Sequence, residues 1–183
     1  MVFTIIFQRL QKKIYFYQNT PKSVTMAFSF GWISTVISHA SDIIPKLSEK
    51  SKSVSVHKKL IIRELRDNIK VFIHAYKNKI HPDVVIDNLS NKALLDAISD
   101  NFNFKKIKKG VIKKELINED RNKKYIGWTT EKMLNKIDEK IEELRTIKKL
   151  NRSVNAVEKT NIPLLLSNLF YRMKLLADFI MEG

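Results

Sequence analysis

Residues 163–181 constrain this chain more than any other stretch. Leu165, Leu166, Leu169, Phe170, Met173, Leu176, Phe179 and Ile180 recur at three- and four-residue spacing and cover most of a helix's circumference. A helix apolar nearly all round cannot face water. It predicts either a central place in a bundle or a cover supplied by a protein partner or a second copy of the chain. Pro163 suits its first turn, where a missing N–H costs nothing.

A central helix needs others around it, and the sequence supplies them. Ile62, Leu65, Ile69, Phe72, Ile73, Tyr76 and Ile80 form one stripe, with Lys59, Arg63, Arg66, Asp67, Lys70 and Lys77 expected to face water. That spacing predicts a helix over 56–79. Met133, Ile137, Ile141 and Leu144 form a heptad-like seam over 130–149, flanked by Lys136, Glu139, Lys140, Glu142 and Glu143. Thr129 or Thr130 caps it, with Glu131 favourable in the first turn. Ile33, Val36, Ile37, Ala40, Ile43, Ile44 and Leu47 mark a helix over 28–44, which Pro45 is expected to kink or end. Pro82 stops the 56–79 helix and a short turn follows. Ser90 or Asn91 then caps a short helix carrying Leu94, Leu95 and Ile98. The serine-rich 48–55 stretch is the best linker.

Only four Gly and four Pro in 183 residues leave room for few tight turns. The expected fold is therefore all-α, a single-domain bundle of five to seven helices over 26–183. Residues 1–25 carry no acid, differ in texture, and are expected to be an N-terminal extension ahead of Met26. Their apolar run precedes their charges, the reverse of a secretory signal. No run of about 18 apolar residues predicts a transmembrane helix. A cytoplasmic protein, with membrane association as the alternative, is the expectation.

The one stretch that departs from amphipathic helix is 102–128. Lys105, Lys106, Lys108, Lys109, Lys113 and Lys114 fall within ten residues, followed by Lys123 and Lys124. Phe102 and Phe104 precede them, and Tyr125 and Trp128 close the segment. Dense positive charge interleaved with aromatics suits nucleic acid or another anionic polymer, because charges attract phosphate and rings stack on bases. The whole chain carries a net charge of +15, but 27 of its 34 basic residues are Lys and only seven are Arg. Lys, Ile and Asn share A/T-rich codons, so genome composition accounts for part of that charge. Arg, with its bidentate fork, is the residue that base readers favour. The segment is expected to form an irregular basic connector, broken at Gly110.

Few other residues carry chemistry. The absence of Cys excludes disulfides, thiolate nucleophiles and Cys-ligated zinc. His39, His57, His74 and His81 make no metal-ligand set with nearby acids, and no cofactor is implied. No Gly-rich phosphate loop, nucleophile elbow or paired acid–base carboxylates appear. His81-Pro82-Asp83, after a basic amphipathic helix with Lys70, Lys77 and Lys79, resembles the loop between the second and third helices of J-domain co-chaperones. The resemblance spans about 30 residues and implies contact with an Hsp70 chaperone. The family's upstream Tyr-x-x-Leu-Gly entry and its terminal Ala-Tyr pair are missing. A proline opening a helical turn accounts equally for the tripeptide. Arg66 and His74 resemble the Arg…His pair of HEPN-type RNases, although seven residues intervene here where the family has four to six.

Three functions from different classes follow. The first is a non-enzymatic protein binding RNA or DNA through 102–128, aided by Lys58, Lys59, Arg63, Arg66 and Lys70. The second is a membrane-docking or membrane-permeabilising effector led by the 28–44 helix, whose polar face is mostly hydroxyls. The third is a structural subunit whose 163–181 helix is buried in a partner. The short, A/T-coded, motif-free character of the chain suits a bacterial defence or mobile locus.

Overall fold

A computed structural model describes residues 37–52 and 55–182. Among them the chain forms six α-helices, four short 3₁₀ turns and no strand, the expected all-α bundle. The helices are α1 (Ile37–Lys50), α2 (Val56–Asn78), α3 (Pro82–Asn88), α4 (Lys92–Ser99), α5 (Thr130–Asn151) and α6 (Ile162–Met181). The expected 1–25 extension, and the 28–36 part of the expected first helix, lie outside the described residues.

Helix α6 is the axis of the bundle. Asn161 caps it by accepting from the Leu164 N–H at 3.0 Å, and Pro163 sits in the first turn. Fourteen of its twenty residues are buried, because α1, α2, α5 and the 102–128 connector all pack on it. Phe72 of α2 meets Phe170 across this core with ring centroids 5.5 Å apart. Full burial of each ring is worth roughly 2–3 kcal/mol. The apolar circumference that suggested a partner on 163–181 is thus covered within the chain itself.

Pro45 does not end α1. Ala40 and Ile43 before it, and Leu47 after it, are all buried on one face. Ser41, whose carbonyl loses its donor, and Pro45 itself are exposed, where water can take the carbonyl. The helix therefore runs to Lys50 and takes in the first part of the expected 48–55 linker, whose residues 53–54 lie outside the described residues. The apolar face of the described part of α1 is spent on the core. Among the described residues, no helix is long and apolar enough to cross a membrane.

Helix α2 ends at Lys79 with φ 51°, the Ile80 N–H reaching back to the Ala75 carbonyl at 2.9 Å. Helix α4 ends the same way at Asn101, φ 52°, with the Phe102 N–H on the Ala97 carbonyl at 2.8 Å. Both are left-handed caps of the Schellman kind. The start of α4 is capped from outside: Glu64 of α2 accepts from the Ala93 and Leu94 N–H groups at 2.8 and 3.3 Å. A carboxylate there also answers the helix dipole. Asn91 instead turns to α5, donating to Asp138 and Glu142 and accepting from Arg145. Leu95 and Ile98, expected on the buried face of α4, are exposed, and Leu94 and Ala97 take the inner positions.

Candidate nucleic-acid interface

The 102–128 connector is an anchored layer rather than a free loop. Phe104, Ile107, Ile112 and Tyr125 are buried and hold it to the bundle at intervals. Its middle pairs with its C-terminal end through the backbone: the Ile112 N–H donates to the Trp128 carbonyl at 2.9 Å, and the Gly127 N–H to the Ile112 carbonyl at 2.8 Å. Tyr125 to Trp128 form a type II turn, closed by the Trp128 N–H on the Tyr125 carbonyl at 3.0 Å. Ile126 has φ −56° and ψ 132°, and the next position of such a turn requires positive φ. Gly127, at φ 81°, supplies it. The expected break at Gly110 is also a positive-φ residue, at 87°.

The connector runs along α6. Lys108 donates to the Glu182 carbonyl and lies over the Phe179 ring, near the helix's C-terminal end. Arg121 donates to the Ser167 hydroxyl at 2.7 Å and stacks on Tyr171, its guanidinium 4.3 Å from the ring centroid. Ser167 to Glu182 spans about 22 Å of helix at about 1.5 Å per residue. Between these ends the buried Arg172 of α6 donates through Nε to the Tyr125 hydroxyl at 2.8 Å. Its Nη1 is buried with no hydrogen-bond partner among the described residues.

The expected site residues therefore divide. Lys105, Lys106, Lys109, Lys113 and Lys114 are exposed and, among the described residues, have no carboxylate within pairing distance. Lys123 pairs with Asp120 at 2.7 Å, and that hydrogen bond holds the Asp120 carboxyl below the usual carboxylate range. Lys124 lies over the Tyr125 ring and is exposed. Lys108 is half-buried in its structural contacts. The four aromatics do not act alike either. Phe104 and Tyr125 are core residues and cannot offer a face to a base, whereas Phe102 and Trp128 are half-buried, packed against the core's edge. The Phe104 and Tyr125 expectation fails because an irregular segment with so few apolar residues needs its large rings as anchors.

Most other candidates are occupied within the fold. His81 caps α3, its Nδ1 accepting from the Asp83 N–H at 3.2 Å. The Asp83 carboxylate accepts from the Ser153 hydroxyl at 2.6 Å and the Val154 N–H at 2.9 Å. The tripeptide that resembles the co-chaperone loop is thus a clamp between α3 and the turn after α5. Arg66, expected to face water, is largely buried and bonds to Asp67 and to Ser48 of α1. His74 is exposed beside a groove between α2 and α3. Among the described residues, no group of three His, Asp or Glu is placed to hold a metal ion.

Sequence reasoning passed over Arg121, Arg172 and Glu64. Arg172 and Lys174 had a visible signal, as charges interrupting an otherwise apolar helix; both are buried, Lys174 with Asp178 at 2.8 Å. Arg121 and Glu64 carry none, since their partners are 46 and 29 or 30 residues away. Comparison of the chain with protein-family models, with curated proteins and with solved structures gives no match.

Proposed function

We propose that this protein is a non-enzymatic binding protein whose connector engages the phosphates of RNA or DNA. One observation carries the proposal: five exposed lysines that have no carboxylate partner among the described residues lie on a backbone fixed against α5 and α6. Unpaired cations on an ordered support lose little freedom when a polyanion arrives, and they release its counterions. Lysine supplies charge rather than base readout, so the affinity should be largely independent of sequence. Phe102 and Trp128 are the rings open to stacking on an exposed base.

The test is single-stranded RNA binding by fluorescence anisotropy over a range of salt concentrations. Wild-type affinity should fall steeply with salt. Replacing Lys105, Lys106, Lys109, Lys113 and Lys114 with Gln should make the log–log slope shallower by about 3.5, at about 0.7 per lost phosphate contact. Lys108 is left intact because its ammonium serves the fold. An unchanged slope and affinity in that variant would overturn the proposal.

A further inference from the structure

The far end of α5 carries a second cationic feature, separate from the connector. Arg145, Lys148, Lys149 and Arg152 line a cavity of about 250 Å³ with Ile86 and Asp87 of α3. Four cations thus share one concavity with a single carboxylate. Lys148 takes that carboxylate, pairing with Asp87 and donating to the Asp83 carbonyl at 3.1 Å. Arg145 is held by Glu142, Asn91 and the Leu89 carbonyl. These bonds fix two of the cations in place. Lys149 and Arg152 are exposed and, among the described residues, have no carboxylate within pairing distance.

Arg152 adds a second observation. It closes α5 in the left-handed region, at φ 61° and ψ −21°. Glycine or asparagine normally takes that position, because a β-carbon is crowded there. Cations in the last turn answer the helix dipole. The dipole does not explain why four of them converge on a cavity, or why the capping residue is arginine where glycine would be less strained. With Arg145 and Lys148 already paired, the uncompensated charge is that of Lys149 and Arg152, which a bound anion would neutralise, and guanidinium and ammonium groups together suit phosphate oxygens. The volume holds a phosphate group with several waters, each water occupying about 30 Å³.

We infer that the Arg145/Lys148/Lys149/Arg152 cavity is a phosphate-binding site, with Lys149 and Arg152 as the groups free to bind and Arg145 and Lys148 as the prearranged wall. Its free groups lie roughly 30–35 Å along α5 from the connector end, taking about 1.5 Å per residue. It stands whether or not the connector binds nucleic acid.

The test is calorimetric titration of the full chain with inorganic phosphate and with pyrophosphate at low ionic strength. Saturable binding is expected in the wild type and in the variant with the five connector lysines changed to Gln. Arg152→Gly should weaken it about tenfold, the scale of one charge-assisted hydrogen bond. The same substitution should leave the melting temperature unchanged or raised, because glycine accepts the positive φ. Lys149→Gln, an exposed change, should weaken binding several-fold. Absence of saturable binding in the wild type, or wild-type affinity in both variants, would overturn the site. Loss of binding only in proportion to a lowered melting temperature would overturn the role given to Arg152. The phosphate's source is read from a 5′-phosphorylated oligonucleotide against its 5′-hydroxyl form. A preference for the former that Arg152→Gly erases identifies a nucleic-acid end, and equal binding of the two identifies a small free phosphate compound.

Discussion

The 102–128 connector and α5 follow one another along the chain, carry eight and five lysines, and dispose of that charge in opposite ways. On α5, Lys136 and Lys140 each meet a glutamate three residues on, and Arg145 meets Glu142 three residues back. Six basic residues there face five acids. The connector holds nine basic residues and three acids, and among the described residues only Lys123 pairs with a carboxylate. Backbone geometry explains the contrast. An α-helix sets residues three and four apart side by side, so interleaved acids become partners automatically. The connector pair, Asp120 with Lys123, falls inside its longest 3₁₀ turn, where residues three apart eclipse. Elsewhere the connector has no regular period to bring acid and base together. Lysine density alone therefore says little about a binding surface, whereas lysine on irregular but anchored backbone says more.

The strongest way to break this comparison is to remove equal charge from each region. Lys105, Lys106 and Lys109 to Gln should lower single-stranded RNA affinity roughly a hundredfold near 0.1 M salt, at about fivefold per phosphate contact. Lys132, Lys136 and Lys140 to Gln should lower it no more than about fivefold, a long-range effect that added salt removes. Equal losses in the two triple variants would mean that total charge governs binding and that placement does not.

A smaller effect sharpens the other half of the contrast. Helix α5 has its own hydrogen-bond ladder, while the connector must be held by tertiary contacts. Tyr125→Phe deletes the acceptor for the buried Arg172 Nε and leaves a guanidinium short of partners. The expected cost is about 2 kcal/mol in urea unfolding, in the range for hydrogen bonds to charged groups. A change within error would show that Phe104, Ile107 and Ile112 anchor the connector without the polar contact.

These two regions also mark how far the sequence could be read. The long helices were legible because burial repeats with the helical period: Ile62, Leu65, Ile69 and Phe72 on α2, and Met133, Ile137, Ile141 and Leu144 on α5, all face the core. Pro45 misled because proline's local cost depends on whether the orphaned carbonyl faces water, a tertiary fact. The connector's basic character was legible, but the roles of its residues were not. Nothing in the local sequence separates Phe104, buried, from Phe102, half-buried, or Lys108, engaged with the end of α6, from Lys109, exposed. Those assignments depend on contacts across dozens of residues. Arg145 and Arg152 belong to the same class: their cavity exists only because α3 packs beside α5.

The smallest expected effect tests the neutralised side of the comparison. Lys136 hydrogen-bonds Glu139 with Nζ 2.6 Å from Oε2, and this bond holds the Glu139 carboxyl below the usual carboxylate range. A lowered folded-state value stabilises the protein above the unfolded-state pKa, and that contribution disappears as pH falls through the folded value. Glu139 is more than half exposed, so solvent screens most of the attraction. Glu139→Gln should cost about 0.3–0.5 kcal/mol near neutral pH, as surface helical pairs do. The difference from wild type should shrink to nothing in acid, where both side chains are uncharged. A difference that persists at low pH would mean that packing on α5, and not charge pairing, is what Glu139 contributes. Freeing Lys136 in this variant should also raise RNA affinity only slightly if the connector is the binding surface. A rise comparable to the loss from one connector lysine would show that any unpaired lysine on this protein serves equally well.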